Sequence, residues 1–142
     1  MTRVVDASVA CKWFIEERGS LEARQLLVSG EPLIAPQLVV AEVCSVAWKK
    51  VRAQQLTSMQ AALLAERIES AFNALMQMSS LAPRALNIAV ELDHPVYDCF
   101  YLALTELEDV PMVTADQRLL MRLQGTTWEH RVVSLYVFTS KV

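Results

Sequence analysis

Short apolar runs alternate with longer helical stretches along this sequence, and that alternation most restricts its fold. Arg3–Val5 is a β-branched run that ends at Asp6 and reads as a buried strand. Further candidate strands are Pro32–Ala35, Leu75–Met78, Pro111–Thr114 and Val132–Phe138. Helices fill the spaces between them, because only three glycines and five prolines interrupt the chain. They are expected over Ala7–Glu17, with Val9, Trp13 and Phe14 on one side, and from Ser20 to about Ser29, where Gly30 stops the turn. Pro36 opens a long helix to about Gln54, since proline suits the first helical turn. Thr57-Ser-Met-Gln60 matches a capping box, with a helix to about Asn73 behind it. Leu81–Leu92, Val96–Leu107 and Gln117–Leu123 complete the set, the first two separated at His94-Pro95. Strands alternating with helices imply a mainly parallel sheet covered on both faces, an α/β fold. There is no internal repeat and no linker, so residues 1–142 are expected to form one domain.

Composition narrows the function classes. With 13 basic and 16 acidic residues the net charge is −3, and 54% of the residues are apolar. These values exclude a disordered chain and a basic protein that coats DNA. Asp6 breaks the apolar stretch at the start, so no signal peptide or membrane helix is expected, and a cytoplasmic location fits. Cys11, Cys44 and Cys99 are far apart and form no C-x-x-C pair, so each reads as a buried free thiol.

Four acids stand where folding alone does not readily explain them. Asp6 ends the first strand, and Asp116 lies just beyond the strand at Met112-Val113-Thr114. Ligands of open α/β sheets bind at the carboxyl ends of strands, so these two converge if their strands are neighbours. Glu42 lies among Leu38, Val39 and Val46 on an apolar helix, and Asp98 in the least polar part of its helix. Each also has a plain structural reading. Asp98 can cap its helix, Asp6 can accept from the first amides of the helix behind it, and Glu42 can face solvent or pair with Lys49 or Arg52. Asp116 can sit beside a cap made by Thr114 and Gln117. Taken together, four converging carboxylates repel one another unless a cation is bound. All-oxygen ligands favour Mg²⁺ or Mn²⁺, and such a metal suits cleavage of a phosphodiester by activated water.

At these residues the sequence resembles the PIN-domain ribonucleases, most closely the VapC-type toxins of bacterial toxin–antitoxin pairs. Val4-Val5-Asp6-Ala7-Ser8 is similar to the family's first-strand motif, and Pro36-Gln-Leu-Val-Val-Ala-Glu42-Val to its Glu-bearing helix. His94-Pro-Val-Tyr-Asp98-Cys-Phe-Tyr-Leu-Ala-Leu-Thr-Glu106 resembles its Tyr-Asp segment, and Val113-Thr114-Ala115-Asp116 its Thr-x-Asp element. The resemblance implies an α/β/α sandwich and Mg²⁺- or Mn²⁺-dependent RNA cleavage. It implies Asp6 and Asp98 as principal metal ligands, with Glu42 and Asp116 completing the site by binding metal or orienting the nucleophile. Ser8 and Thr114 would hydrogen-bond behind them. It also implies an RNA substrate, a cognate antitoxin and a homodimer. The chain departs from the pattern in one place, reading Asp116-Gln117-Arg118 where many relatives carry a further acid or Asn.

Other features are weighed beside these. Lys49, Lys50 and Arg52 form the densest basic cluster, either a solvated helix face or a rim that contacts phosphate. His94 precedes Pro95 in a turn, which favours a structural role. Tyr97, Phe100 and Tyr101 fit a core face better than a base-stacking one. Leu64, Ile68, Phe72 and Leu75 form a stripe that reads as core. Two other functions compete. A phosphoacceptor receiver-like domain wants an acidic pair at the first strand end and a Lys after the last strand, where this chain has Asp6 alone and Lys141 further on. A non-catalytic interaction module on the same fold is the other.

Overall fold

The computed structural model describes residues 1–140; Lys141, and the last residues of the expected domain, lie outside the described residues. Five short strands form one parallel sheet: β1 (Arg3–Val5), β2 (Leu33–Pro36), β3 (Ala74–Met76), β4 (Met112–Thr114) and β5 (Val132–Ser134). Their order is β3-β2-β1-β4-β5. The chain therefore builds outward from β1 on one side, then returns to build on the other. Val4 pairs with Ile34 and Met112, and Val5 with Val113, so β1 is the centre of the sheet. Val4 and Val5 are fully buried, as expected of a strand covered on both faces.

The helices are α1 (Ala7–Ala10), α2 (Ser20–Leu27), α3 (Leu38–Arg52), α4 (Ser58–Arg67), α5 (Met78–Leu92), α6 (Val96–Glu108), α7 (Gln117–Leu123) and α8 (Leu135–Ser140). α6 packs between α5 and the central strands. That position buries a continuous run from Tyr101 to Thr105, a pattern no one-sided helix shows. α3 packs against α1 and α4 and presents Val39, Val43 and Ala47 to the core. The arrangement is an α/β/α sandwich. Of the expected core stripe, Leu64, Ile68 and Phe72 are buried, while Leu75, in β3, is only partly buried against the core. No helix of the described residues is long and apolar enough to cross a membrane.

Several boundaries differ from expectation, each for a local reason. Pro36 does not open α3. It is the last residue of β2, paired with Met76, and Gln37 still donates to the Met76 carbonyl at 2.9 Å. The first helix ends at Ala10 and tightens into a 3₁₀ turn over Cys11–Trp13, well short of Glu17. Ser20 causes the stop: its hydroxyl donates to the Ile15 carbonyl at 2.8 Å and accepts from the Glu17 amide at 2.9 Å. Asn73 is not helical, because its amide and side-chain oxygen bracket Leu33 at 2.8 Å each and draw the chain into β3. The helix expected from Leu81 starts earlier, at Met78, with Pro83 inside it. That proline forfeits one bond to the carbonyl of Ser79, which is solvent-exposed. The last strand stops at Ser134, not Phe138. The Ser134 hydroxyl accepts from the Tyr136 amide at 3.3 Å, and α8 begins there.

Candidate active site

The sheet order creates a crevice beyond the carboxyl ends of β1 and β4, where the chain reverses its direction of growth. Asp6 follows β1 directly and Asp116 lies two residues past β4. α3 brings a third wall. Leu38, Ala41, Glu42, Ser45, Val46 and Lys49 recur at helical spacing and face the crevice. α6 brings the fourth with Tyr97, Asp98 and Tyr101. The result is one cavity of about 450 Å³ lined by Asp6, Glu42, Asp98 and Asp116 together with Ser8. Thr114 lies fully buried beneath it.

Asp6 is the most constrained of the four. It is 7% exposed and caps α1, with Oδ1 accepting from the Val9 amide at 3.3 Å and the Ser8 hydroxyl at 2.6 Å. Its Oδ2 accepts from the Thr114 hydroxyl. Ser8 Oγ also accepts from the Ala115 amide at 2.9 Å, which ties the end of β4 to the end of β1. Burial raises the Asp6 carboxyl from 3.8 to about 7, and the Asp98 charge adds to that. The bonds from Ser8, Thr114 and Val9 oppose the rise and do not cancel it.

Glu42 pairs with neither Lys49 nor Arg52. The Tyr101 hydroxyl donates to its Oε1 at 2.7 Å. Burial raises the Glu42 carboxyl, and the tyrosine bond partly offsets this. Tyr101 itself is pushed far above its ordinary range by burial, so its proton stays on the phenol. Asp98 does not cap α6. It sits in the first turn and its Oδ2 lies 2.7 Å from His94 Nε2. Asp116 is itself the cap of α7, accepting from the Arg118 and Leu119 amides at 3.0 and 3.2 Å. Thr114 supports it from behind by accepting the Asp116 amide at 3.1 Å.

The two residues that sequence reasoning undervalued are His94 and Tyr101. His94 is four residues before Asp98, a spacing that brings side chains together, and Tyr101 faces the same cavity from α6 as Tyr97 and Asp98. Burial lifts the thiol of Cys11 to about 12 and that of Cys99 to about 11, so neither contributes a thiolate; Cys44, expected to be buried, is only half-buried.

The donor set can be tested against a divalent cation. Among the described residues no three acidic, histidine or cysteine side chains are gathered closely enough to form a cage for a metal. Each of Glu42, Asp98 and Asp116 is instead pinned through one oxygen, and their Oε2, Oδ1 and Oδ2 have no protein partner among the described residues. Pinned carboxylates with one free oxygen around an open cavity fit Mg²⁺ or Mn²⁺, which keep several waters, and not a dehydrated zinc site.

Comparisons with known proteins bear on the family and the fold. The PIN domain family matches residues 3–123 of the chain. Ribonuclease VapC3 of Pyrobaculum aerophilum is 30% identical over 121 residues, which cover 84% of this chain and 92% of that protein. The crystal structure of PAE2754 from the same organism superposes with a TM-score of 0.73 at 20% identity, covering 99% of this chain and 88% of that one. A toxin–antitoxin complex from Klebsiella pneumoniae contains a chain with a TM-score of 0.62 at 21% identity, covering 94% of this chain and 98% of that one. At these identities the two structures show a shared fold.

Proposed function

The chain belongs to the PIN-domain family, and from that premise we propose that it is a Mg²⁺- or Mn²⁺-dependent endoribonuclease, the toxin of a type II toxin–antitoxin pair. The observation that carries the proposal is the convergence of Asp6, Glu42, Asp98 and Asp116 on one cavity at the switch point of the sheet. The relative named as a ribonuclease and the neighbour solved as a toxin–antitoxin complex support the substrate and partner classes. In this reading the partners are RNA, an antitoxin that covers the cavity, and a second copy of the chain. The location is the cytoplasm.

Asp6, Asp98, Asp116 and Glu42 would hold the cation, and when bound it supplies activated water and neutralises charge on the phosphate. The protein's own residues do the rest. Ser8 and Thr114 fix the orientation of Asp6, and they donate to its ionised form, so Asp6 is ready to lose its proton when positive charge arrives. Tyr101 holds Glu42 in one rotamer, so its free oxygen is available to orient the attacking water or accept its proton. His94 restrains Asp98 in the same way.

The competing receiver-like reading does not survive the sheet. Such domains run 2-1-3-4-5, and this sheet runs β3-β2-β1-β4-β5.

The test is cleavage of purified RNA. Wild type should cut with Mg²⁺ or Mn²⁺ and stop with EDTA. Asp6→Asn and Asp98→Asn should each lose on the order of a hundredfold or more in rate. Equal cutting by wild type and both variants overturns the proposal.

A further inference from the structure

The cavity has a basic and an aromatic side that the four-carboxylate chemistry does not use. Lys49 lines it from α3 and Tyr97 lines it from α6. Tyr97 is 59% exposed, unlike its buried neighbour Tyr101. Lys49 is exposed and has no carboxylate partner among the described residues. The other cations of that region are committed elsewhere: Lys12 and Lys50 both meet Glu17, at 3.2 and 3.6 Å. The basic cluster therefore does not act as a unit.

Helix geometry sorts it. At 3.6 residues per turn, Glu42, Ser45, Lys49 and Arg52 fall on one stripe of α3, while Lys50 points away from it. The stripe begins at a cavity carboxylate and ends on two cations. Lys49 is about 10 Å and Arg52 about 15 Å along the axis from Glu42. The Arg52 guanidinium is held over the exposed Trp48 ring, 4.8 Å from its centroid. A guanidinium fixed this way keeps its edge free for phosphate oxygens.

We infer that the α3 stripe and Tyr97 form a nucleotide-binding subsite. Lys49 and Arg52 take the two phosphates next to the scissile one, and Tyr97 stacks on a base beside it. The inference rests on the nuclease reading and extends it, since it says where the strand runs: from the carboxylates along α3 toward its C-terminus. The charge logic is plain. An acidic cavity in a protein of net charge −3 repels a polyanion, and unpaired cations beside it supply the attraction.

The test uses a short single-stranded RNA of mixed sequence, labelled with fluorescein, titrated with the full chain in EDTA and in Ca²⁺ at several salt concentrations. Cleavage of the same RNA in Mg²⁺ is followed alongside. Lys49→Gln with Arg52→Gln should lower the slope of log affinity against log salt by about 1.4, two phosphate contacts on a single strand. Tyr97→Leu should weaken binding by roughly fivefold or more at every salt concentration, and leave the slope unchanged. All three side chains are exposed, so the fold should tolerate the changes. Trp48 offers a second readout. It is 56% exposed while Trp13 and Trp128 are buried, so RNA should change tryptophan fluorescence in wild type and not in Trp48→Phe. Cutting by wild type with unchanged slope, affinity and KM in the variants overturns the subsite and leaves the nuclease reading standing. Binding with the expected losses but no cutting supports the nucleotide contacts, and overturns both the nuclease reading and the scissile position they were set beside. Neither binding nor cutting by wild type overturns both.

Discussion

Asp6 is held where ionisation is unfavourable, and this has a measurable sign. Its carboxyl rises from 3.8 to about 7 on folding, chiefly through burial. Between those values the folded chain binds more protons than the unfolded chain. Stability from the neutral form is full below about pH 4 and is lost as pH rises toward about 7. Glu42 is raised too and slopes the same way, whereas Glu106, held low by Arg84, slopes the opposite way. Comparison with Asp6→Asn isolates the Asp6 contribution. Urea midpoints of the metal-free chain should fall across that interval, and the fall should be smaller in Asp6→Asn. A parallel pair of curves would contradict the buried-acid account. Residues are also where sequence reading reached its limit. Asp6, Glu42, Asp98 and Asp116 were legible because acids on strand ends and apolar helix faces call for a reason. His94 and Tyr101 were not, since a histidine before proline and a tyrosine in an apolar helix have ordinary explanations. Only the distances of 2.7 Å to Asp98 and Glu42 distinguish them.

At the scale of elements, the pocket acids also shape local structure. Asp116 caps α7 through two amides. Asparagine caps a helix about as well as aspartate does, whereas alanine loses the cap at a cost of about 1 kcal/mol. Asp116→Asn should therefore keep the melting behaviour of wild type, and Asp116→Ala should lower stability by about that amount. Thermal melts separate the two, and RNA cleavage by both should be impaired if Asp116 serves the site. Equal melts for the two variants would remove Asp116 from the capping role. Elements with side-chain signals were the easiest to place in advance. The Thr57 capping box is present in both directions, with Gln60 donating its amide to Thr57 and accepting the Thr57 amide in return. Gln117–Leu123 matches at both ends. The misplaced ends share a cause. Pro36, Asn73 and Ser134 stop or divert the chain through bonds to residues in other strands or in the next turn. Propensity along the sequence does not contain those partners.

Over the whole molecule, one apolar core runs from the sheet into the helices on both of its faces. Leu104 sits fully buried in it, on the helix between α5 and the central strands. Leu104→Ala should cost about 2–5 kcal/mol, with the spread set by how far the neighbours relax. If the described residues act as one domain, unfolding followed by fluorescence and by circular dichroism should remain a single coincident transition in this variant. Two separated transitions would divide the chain. The composition is also clearer at this scale: part of the 54% apolar content is on the surface, at Val28, Met59 and Val90 among others. The central position of β1 has a consequence for the timing of synthesis. β1 is paired on one side with β4, and Thr114 must cross 108 positions of sequence to reach Asp6. Contacts so distant close late in folding. A growing chain that has produced Asp6, Glu42 and even Asp98 still lacks the floor of its own pocket. Synthesis must therefore run past Thr114 before the pocket can take its final form.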